Sequence, residues 1–410
     1  MPGPQPHLFT VPPDVPFLRA LARAVLAGGF PRADTSAPGP IDLPRWTIYL
    51  PTRRAARALT QAFLEESGST SRLLPRIRPL GDVDEEELAF AEPLPGAGGE
   101  DIPPAITPFE RQFLLARLIA DWVKANPHED LAGTLSAAPG MCLLMAQSLA
   151  KLLDNFEMEE ISLDKLKDLA GPEYPQHREA LVGFLAILRL QMPRELERLG
   201  LIGSGARRSL AIRAEAERLA LSPPSGPVIA AGSTGSIPAT AQLLKVIAYL
   251  PQGAVVLPGL DLKLDKESWE TLGGKDHDKD QQQHPQWGLY HLLKGMGAVR
   301  DNVQMLPGLA RHPAGEAREF LLSELMRPSD KTDQWRKKLE GKQLQLTNAM
   351  QGIHLLPVPD TREEAVAIAY LMRQTLEQPG RTAALVTPDR NLARRVKAEL
   401  SRWRIELDDT

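Results

Sequence analysis

Short apolar runs alternate with amphipathic stretches at both ends of the chain. Leu8, Phe9 and Val11 form the first run, a proline-rich turn follows, and apolar residues return at Phe17, Leu21 and Val25 with Leu18 beside them. That change of period predicts strand, turn and helix in succession. "WTIYLPT" (46–52) is a second buried-strand run, and "RRAARALTQAFLEES" (53–67) sets Ala56, Leu59, Ala62 and Phe63 on one helical face. "RLLPRIRPLGDVDEEEL" (72–88) breaks the pattern and reads as a loop, basic at its start and acidic at its end.

From 105 to 222 the pattern is helical throughout. Thr107, Pro108 and Glu110 form a capping signature ahead of Phe113, Leu114, Leu118 and Trp122. Further helices are predicted over 140–161, 175–200 with a bend at Pro193, and 206–221. Strand-helix alternation then resumes with "VIAAGS" (228–233), "IPATAQLLKVIAYL" (237–250) and "GAVVLPGL" (253–260). Residues 263–286 are polar and read as a mobile surface loop. "IHLLPVP" (353–359) reads as a strand, "TREEAVAIAYLMRQTLEQ" (361–378) as a helix, and 381–403 as strand then helix. The expected fold class is α/β, divided at 1–104, 105–225, 226–350 and 351–410. The last part is an incomplete α/β segment, so the chain reads as cut off before its fold closes.

Composition narrows the function little. The 410 residues suffice for two or three domains, and 43% hydrophobic with 24% charged residues is ordinary for a soluble protein. A net charge of -4 gives no global attraction to nucleic acid, so any such attraction is local. Cys142 is the one cysteine, which excludes an intrachain disulfide, a four-cysteine zinc site and an iron–sulfur cluster; it reads as a small buried side chain. No signal peptide, membrane span or solenoid repeat is visible, and a reducing cytoplasmic location is expected.

The first strand-turn-helix unit has the layout of a phosphate-binding loop without its chemistry. Pro12, Pro13 and Pro16 remove backbone donors, Asp14 repels phosphate, and neither glycines nor a lysine are present. It reads as a degenerate nucleotide loop or simply as a rigid turn. "LPTRRAARAL" (50–59) places Thr52, Arg53, Arg54 and Arg57 at a helix start, where cations oppose the macrodipole. With Arg45, Arg72, Arg76 and Arg78 nearby, either an anionic partner such as a phosphate backbone or a solvated basic face accounts for them. Gly232, Ser233 and Thr234 in "GSTGSIPATAQLL" suit a phosphate or sugar contact, although such turns are common. "VTPDRNLARRV" (386–396) repeats the second unit's build with Thr387, Asp389 and Arg390, suggesting two similar lobes facing one anion. His277, His284 and His291 follow no metal-ligand spacing.

These stretches, with "HPQWGLYHLL" (284–293) and "AALVTPDRNLARRVKAELSRW" (383–403), resemble the AddB family of double-strand break repair proteins in its alphaproteobacterial form, over nearly the whole chain. The resemblance implies a RecA-like superfamily 1 helicase-type lobe interrupted by an all-helical insertion, followed by the start of a second RecA-like lobe. It implies a non-motor subunit of a helicase–nuclease that binds and channels single-stranded DNA during resection of broken ends. Thr52, Arg53, Arg54, Arg57, Gly232, Ser233, Thr234, Thr387, Asp389 and Arg390 would then face DNA, with an AddA-type motor subunit as heterodimeric partner and no membrane. Full-length members also carry an iron–sulfur cluster and a nuclease metal ion; this chain has neither the cysteines nor the nuclease part, so no cofactor and no activity of its own are expected. An active ATP-dependent helicase or NTPase, and a protein-interaction remnant without DNA binding, stay open as alternatives.

Overall fold

Four of the strands arise where the chain is apolar on both faces, as a parallel sheet covered on both sides requires. A computed structural model describes residues 5–32, 37–39, 41–68, 71–80, 102–138, 140–168, 175–274 and 279–408. They divide into two units, Met1–Ala349 and Met350–Thr410. In the first unit the strands are β1 Leu8–Val11, β2 Thr47–Leu50, β3 Arg76–Pro79, β4 Val228–Ala231, β5 Gly253–Pro258 and β6 Gln304–Met305. All are parallel, in the order β3-β2-β4-β5-β1-β6. The chain is therefore mixed α/β.

Residue alternation sends the two sides of each strand into different cores. Leu8, Tyr49, Val228, Ala230, Val255 and Leu257 face one. Phe9, Val11, Ile48, Leu50, Ile229 and Val256 face the other. Helices α1 (Phe17–Leu26) and α2 (Arg53–Ser67) cover the second face through Leu21, Val25, Leu59 and Phe63. The first face is covered by α8 (Ser204–Leu221), α9 (Pro238–Tyr249) and α11 (Trp287–Met296) through Ile212, Leu219, Leu243, Ile247, Leu289 and Leu293.

The helical section comprises α3 (Pro108–Ala125), α4 (Asp130–Ser136), α5 (Met141–Met158), α6 (Pro175–Ala186), α7 (Met192–Leu199) and α8. The capping box at α3 forms as the sequence predicts: Glu110 N–H donates to the Thr107 hydroxyl at 3.3 Å and Thr107 N–H to Glu110 Oε2 at 3.2 Å. Leu114, Leu118 and Trp122 are buried, whereas Phe113 is half exposed and lies against Phe109. Near Pro193, where the sequence predicts a bend, Ile187–Gln191 form a π-helical turn and the next helix starts at Met192. Proline lacks the N–H that would continue the regular ladder, and a wider turn absorbs the break. Cys142 is half-buried against this core rather than enclosed.

Helix α8 begins at Gly203 with no side-chain cap of its own. Instead Glu157 of α5 accepts the Ala206 N–H at 3.2 Å. Gly203 makes the approach possible, since a Cβ there would lie 2.0 Å from Glu157 Oε1. Burial pushes the Glu157 carboxyl above the ordinary range against this bond, and Asp154 adds repulsion. A raised carboxyl pKa penalises the folded state only once pH exceeds the unfolded value of about 4.3. Glu157→Gln keeps an acceptor for Ala206 and removes the charge. It should raise Tm by a few degrees at pH 7 and lose that advantage below about pH 4, checked by thermal unfolding at both pH values.

Two further segments of the first unit depart from the sequence pattern. Arg76–Pro79, placed in a loop by sequence, is an edge strand paired with β2. Ile77 packs towards the core while the arginines face outward or find partners. Residues 263–286 are not uniformly a surface loop: α10 (Lys266–Thr271) is capped by Asp265, which accepts the Ser268 N–H at 3.0 Å, and buries Trp269. Among the described residues the unit also contains α12 (Pro313–Leu325), α13 (Trp335–Leu339) and α14 (Gln343–Ala349).

The second unit contains α15 (Thr361–Leu376) and α16 (Arg390–Ser401), joined by Ala365, Ala369, Met372, Val396 and Leu400. Neither expected strand forms: among its described residues, 353–359 and 381–386 carry no β-ladder. Leu355 and Val386 are each 94% exposed, so these runs have the composition of strands without a sheet to lie on.

Candidate functional site

In an open parallel sheet, ligands bind beyond the carboxyl ends of the strands where successive connections leave towards opposite faces. This sheet has such a place between β2 and β4, which pair from Thr47 with Val228 to Tyr49 with Ala230. Helix α2 leaves β2 towards one face and α9 leaves β4 towards the other. A cleft of about 160 Å³ opens there, lined by Pro51, Leu80, Arg208, Gly232, Ser233, Thr234, Ser236, Ile237 and Thr240.

Local chemistry shapes its rim. Gly232 has φ +79°, a left-handed conformation that a side chain disfavours, and its N–H donates to Val256 O at 2.9 Å. The Ser233 hydroxyl accepts the Gly235 N–H at 3.2 Å, tightening the turn. Thr52 caps α2 by accepting the Ala55 N–H at 3.0 Å, so its hydroxyl has a structural role. Arg53 is half-buried, and Arg54 and Arg57 lie on the first turns of α2, Arg54 exposed. The structure thus brings the β2 and β4 candidates to neighbouring strand ends.

Arg208 was not among the residues that sequence pattern pointed to. It comes from α8, a helix that reads as core and solvent faces only. The same helix carries a buried charge network. Glu215 of the same helix, 1% exposed, accepts a hydrogen bond from the Tyr49 hydroxyl and pairs with Arg218 at 2.7 Å. Arg78 on β3 lies 3.9 Å from it. Burial pushes the Glu215 carboxyl up, but the bonds from Arg218 and Tyr49 outweigh it and hold the carboxyl below the ordinary range. Burial and the same carboxylate push the Tyr49 phenol up, so it stays a donor.

The degenerate loop after β1 is closed by an ion cluster. Val15 N–H donates to Pro12 O at 3.1 Å. Asp14 is paired with Arg311 at 2.7 Å, and Arg311 also binds Glu319 of α12 at 2.9 Å. Pro13 and Pro16 supply no donors. A carboxylate–guanidinium pair therefore stands beside the turn where a phosphate-binding loop would present glycine N–H groups.

Thr387, Asp389 and Arg390 lie in the second unit. Asp389 caps α16 by accepting the Asn391 N–H at 2.8 Å, and the Thr387 hydroxyl accepts the Asp389 N–H at 3.1 Å. Both are local turn contacts. Arg390 is exposed.

Among the described residues, no group of three or more His, Cys, Asp or Glu side chains is placed to hold a metal ion. His277 lies outside the described residues. His284 bonds to Met326 O, and His291 packs on Trp287. No helix among the described residues is long and apolar enough to cross a membrane. No family profile and no curated protein matches the chain.

Proposed function

We propose that this chain is the helicase-like, non-motor subunit of an AddAB-type helicase–nuclease, binding single-stranded DNA during resection of broken ends. In this reading the first unit is a RecA-like lobe with a helical insertion, the second begins another, and an AddA-type partner supplies ATP hydrolysis. The observation that supports it most is the cleft at the β2–β4 strand ends. Arg208 lines it, the glycine-serine turn forms its rim, and Arg53 and Arg54 follow closely after Pro51. A guanidinium in a narrow polar cleft, with two more arginines on the helix that starts beside it, suits a phosphate backbone. The first turn supports a non-motor role, because its prolines remove the N–H donors a triphosphate needs and the Arg311 guanidinium beside it is already held by Asp14 and Glu319.

The test is an anisotropy titration of labelled oligothymidylate into the whole protein. Arg53→Ala/Arg54→Ala and, separately, Arg208→Gln should each weaken binding. The double variant should flatten the salt dependence by about 1.4 in log–log slope, roughly 0.7 for each phosphate no longer neutralised. An isotherm unchanged in both variants removes DNA from this cleft.

A further inference from the structure

We propose that a second cleft in the first unit, between α10, the end of α11 and Arg300, binds a phosphate group carried on a small molecule. Its volume is about 240 Å³. That is several times the roughly 30 Å³ share of one water, leaving room for a substituent beyond the phosphate.

The buried cation at this cleft is the basis. Arg300 is 8% exposed and stacks over the Trp269 ring at 4.7 Å. One of its Nη atoms donates to the Asp261 carbonyl at 3.2 Å. Asp301, which also lines the cleft, stands 4.0 Å from its Nε with a side chain 75% exposed, and Asp261, Asp265 and Glu270 act on it from beyond ion-pair distance. Other well-buried arginines of this unit are paired differently. Arg111 holds Asp154 at 2.5 Å, Arg311 holds Asp14 at 2.7 Å and Arg327 holds Glu324 at 2.6 Å. A charge taken out of water without a close counter-ion is costly unless something else supplies one. Burial accordingly pushes the Arg300 ionisation down despite the surrounding acids.

The rim points to the type of anion. Lys266 opens α10 and Lys294 sits in the last turn of α11, 5.9 Å over the Tyr290 ring; both are exposed and line the cleft. Glu270 also lines it but accepts from the Tyr290 hydroxyl at 3.4 Å. A guanidinium fork alone satisfies a carboxylate. A fork with two ammonium groups around one small space matches the several acceptor oxygens of a phosphate.

Isothermal titration calorimetry of the whole protein at low salt, with inorganic phosphate and with glycerol 3-phosphate, tests this. The expected result is a saturable site that Lys266→Gln/Lys294→Gln, whose exposed positions leave the fold intact, weakens at least tenfold and that persists in Arg208→Gln. Arg300→Met should abolish it. The proposal is overturned if neither probe saturates, if the double lysine variant binds as the native protein does, or if Arg208→Gln removes the site. Tighter binding of citrate than of either phosphate would overturn the choice of ligand.

Discussion

Arg327→Met should lower the unfolding free energy by about 3–5 kcal/mol, the cost of breaking a buried ion pair from one side. The Arg327 side chain has no exposed surface and pairs with Glu324 and Asp265, each at 2.6 Å. It also donates to the Ser268 hydroxyl at 2.6 Å. Methionine fills much of the space but leaves the Glu324 carboxylate, 6% exposed, without its cation. Asp265 would keep Lys338 at 3.3 Å, so most of the loss falls on Glu324. Urea unfolding followed by tryptophan fluorescence checks it, with Trp269 and Trp335 flanking the site. An unfolding free energy within about 0.5 kcal/mol of the native value, the range of an ordinary surface substitution, would show that the cluster contributes little. The same network has an acid limit. Burial pushes the Asp265 carboxyl up, while bonds from Ser268, Arg327 and Lys338 outweigh it and hold it well below the usual range. Its contribution is complete above the unfolded value of about 3.9 and is lost only as pH falls further.

Glu215→Gln should cost about 3 kcal/mol, near the lower end for a buried pair because Arg218 and Arg78 both reach solvent. Glutamine still accepts from Tyr49 but no longer balances Arg218. Because the folded-state Glu215 carboxyl lies below its unfolded value, the native advantage is full above about pH 4.3 and shrinks as pH falls through the folded value. The difference between variant and native protein should therefore narrow in acid, as measured by urea midpoints at pH 7 and pH 3. A constant difference would assign the loss to packing instead of charge. A second readout follows from position. Glu215 shares α8 with Arg208, so loosening it should weaken oligothymidylate binding more than a surface change of equal charge on the second unit.

The parts legible in sequence were those in which one short window holds the whole signal. β1, β2, β4 and β5 are apolar runs ended by proline or glycine, and α3 carries its capping box in four residues. β3 escaped because two of its four residues are arginines. It is a strand because β2 offers a free edge and because Glu215, more than a hundred residues away in the chain, stands near Arg78. α10 escaped because KESWET has one large apolar residue, and its stability depends on Asp265 and the distant Arg327. The strands expected in the second unit failed for the converse reason: composition supplied the runs, but a ladder needs a neighbour. At the cleft, the glycine-serine turn and the arginines after β2 were visible as local motifs. Arg208 was not, since its value lies in where α8 docks.

The sheet order has a consequence for synthesis. β1 lies between β5 and β6, and Thr10 bonds to Leu257, 247 residues further along. At roughly 5–20 residues per second on the ribosome, β1 waits on the order of 10–50 s before its partner exists. During that interval Leu8, Phe9 and Val11 have no ladder to join, while the α3–α5 pair, tied by Arg111 and Asp154 only 43 residues apart, can already close. The nascent chain should therefore protect its helical section first and leave β1 open until β5 has emerged, the interval in which a chaperone would hold it.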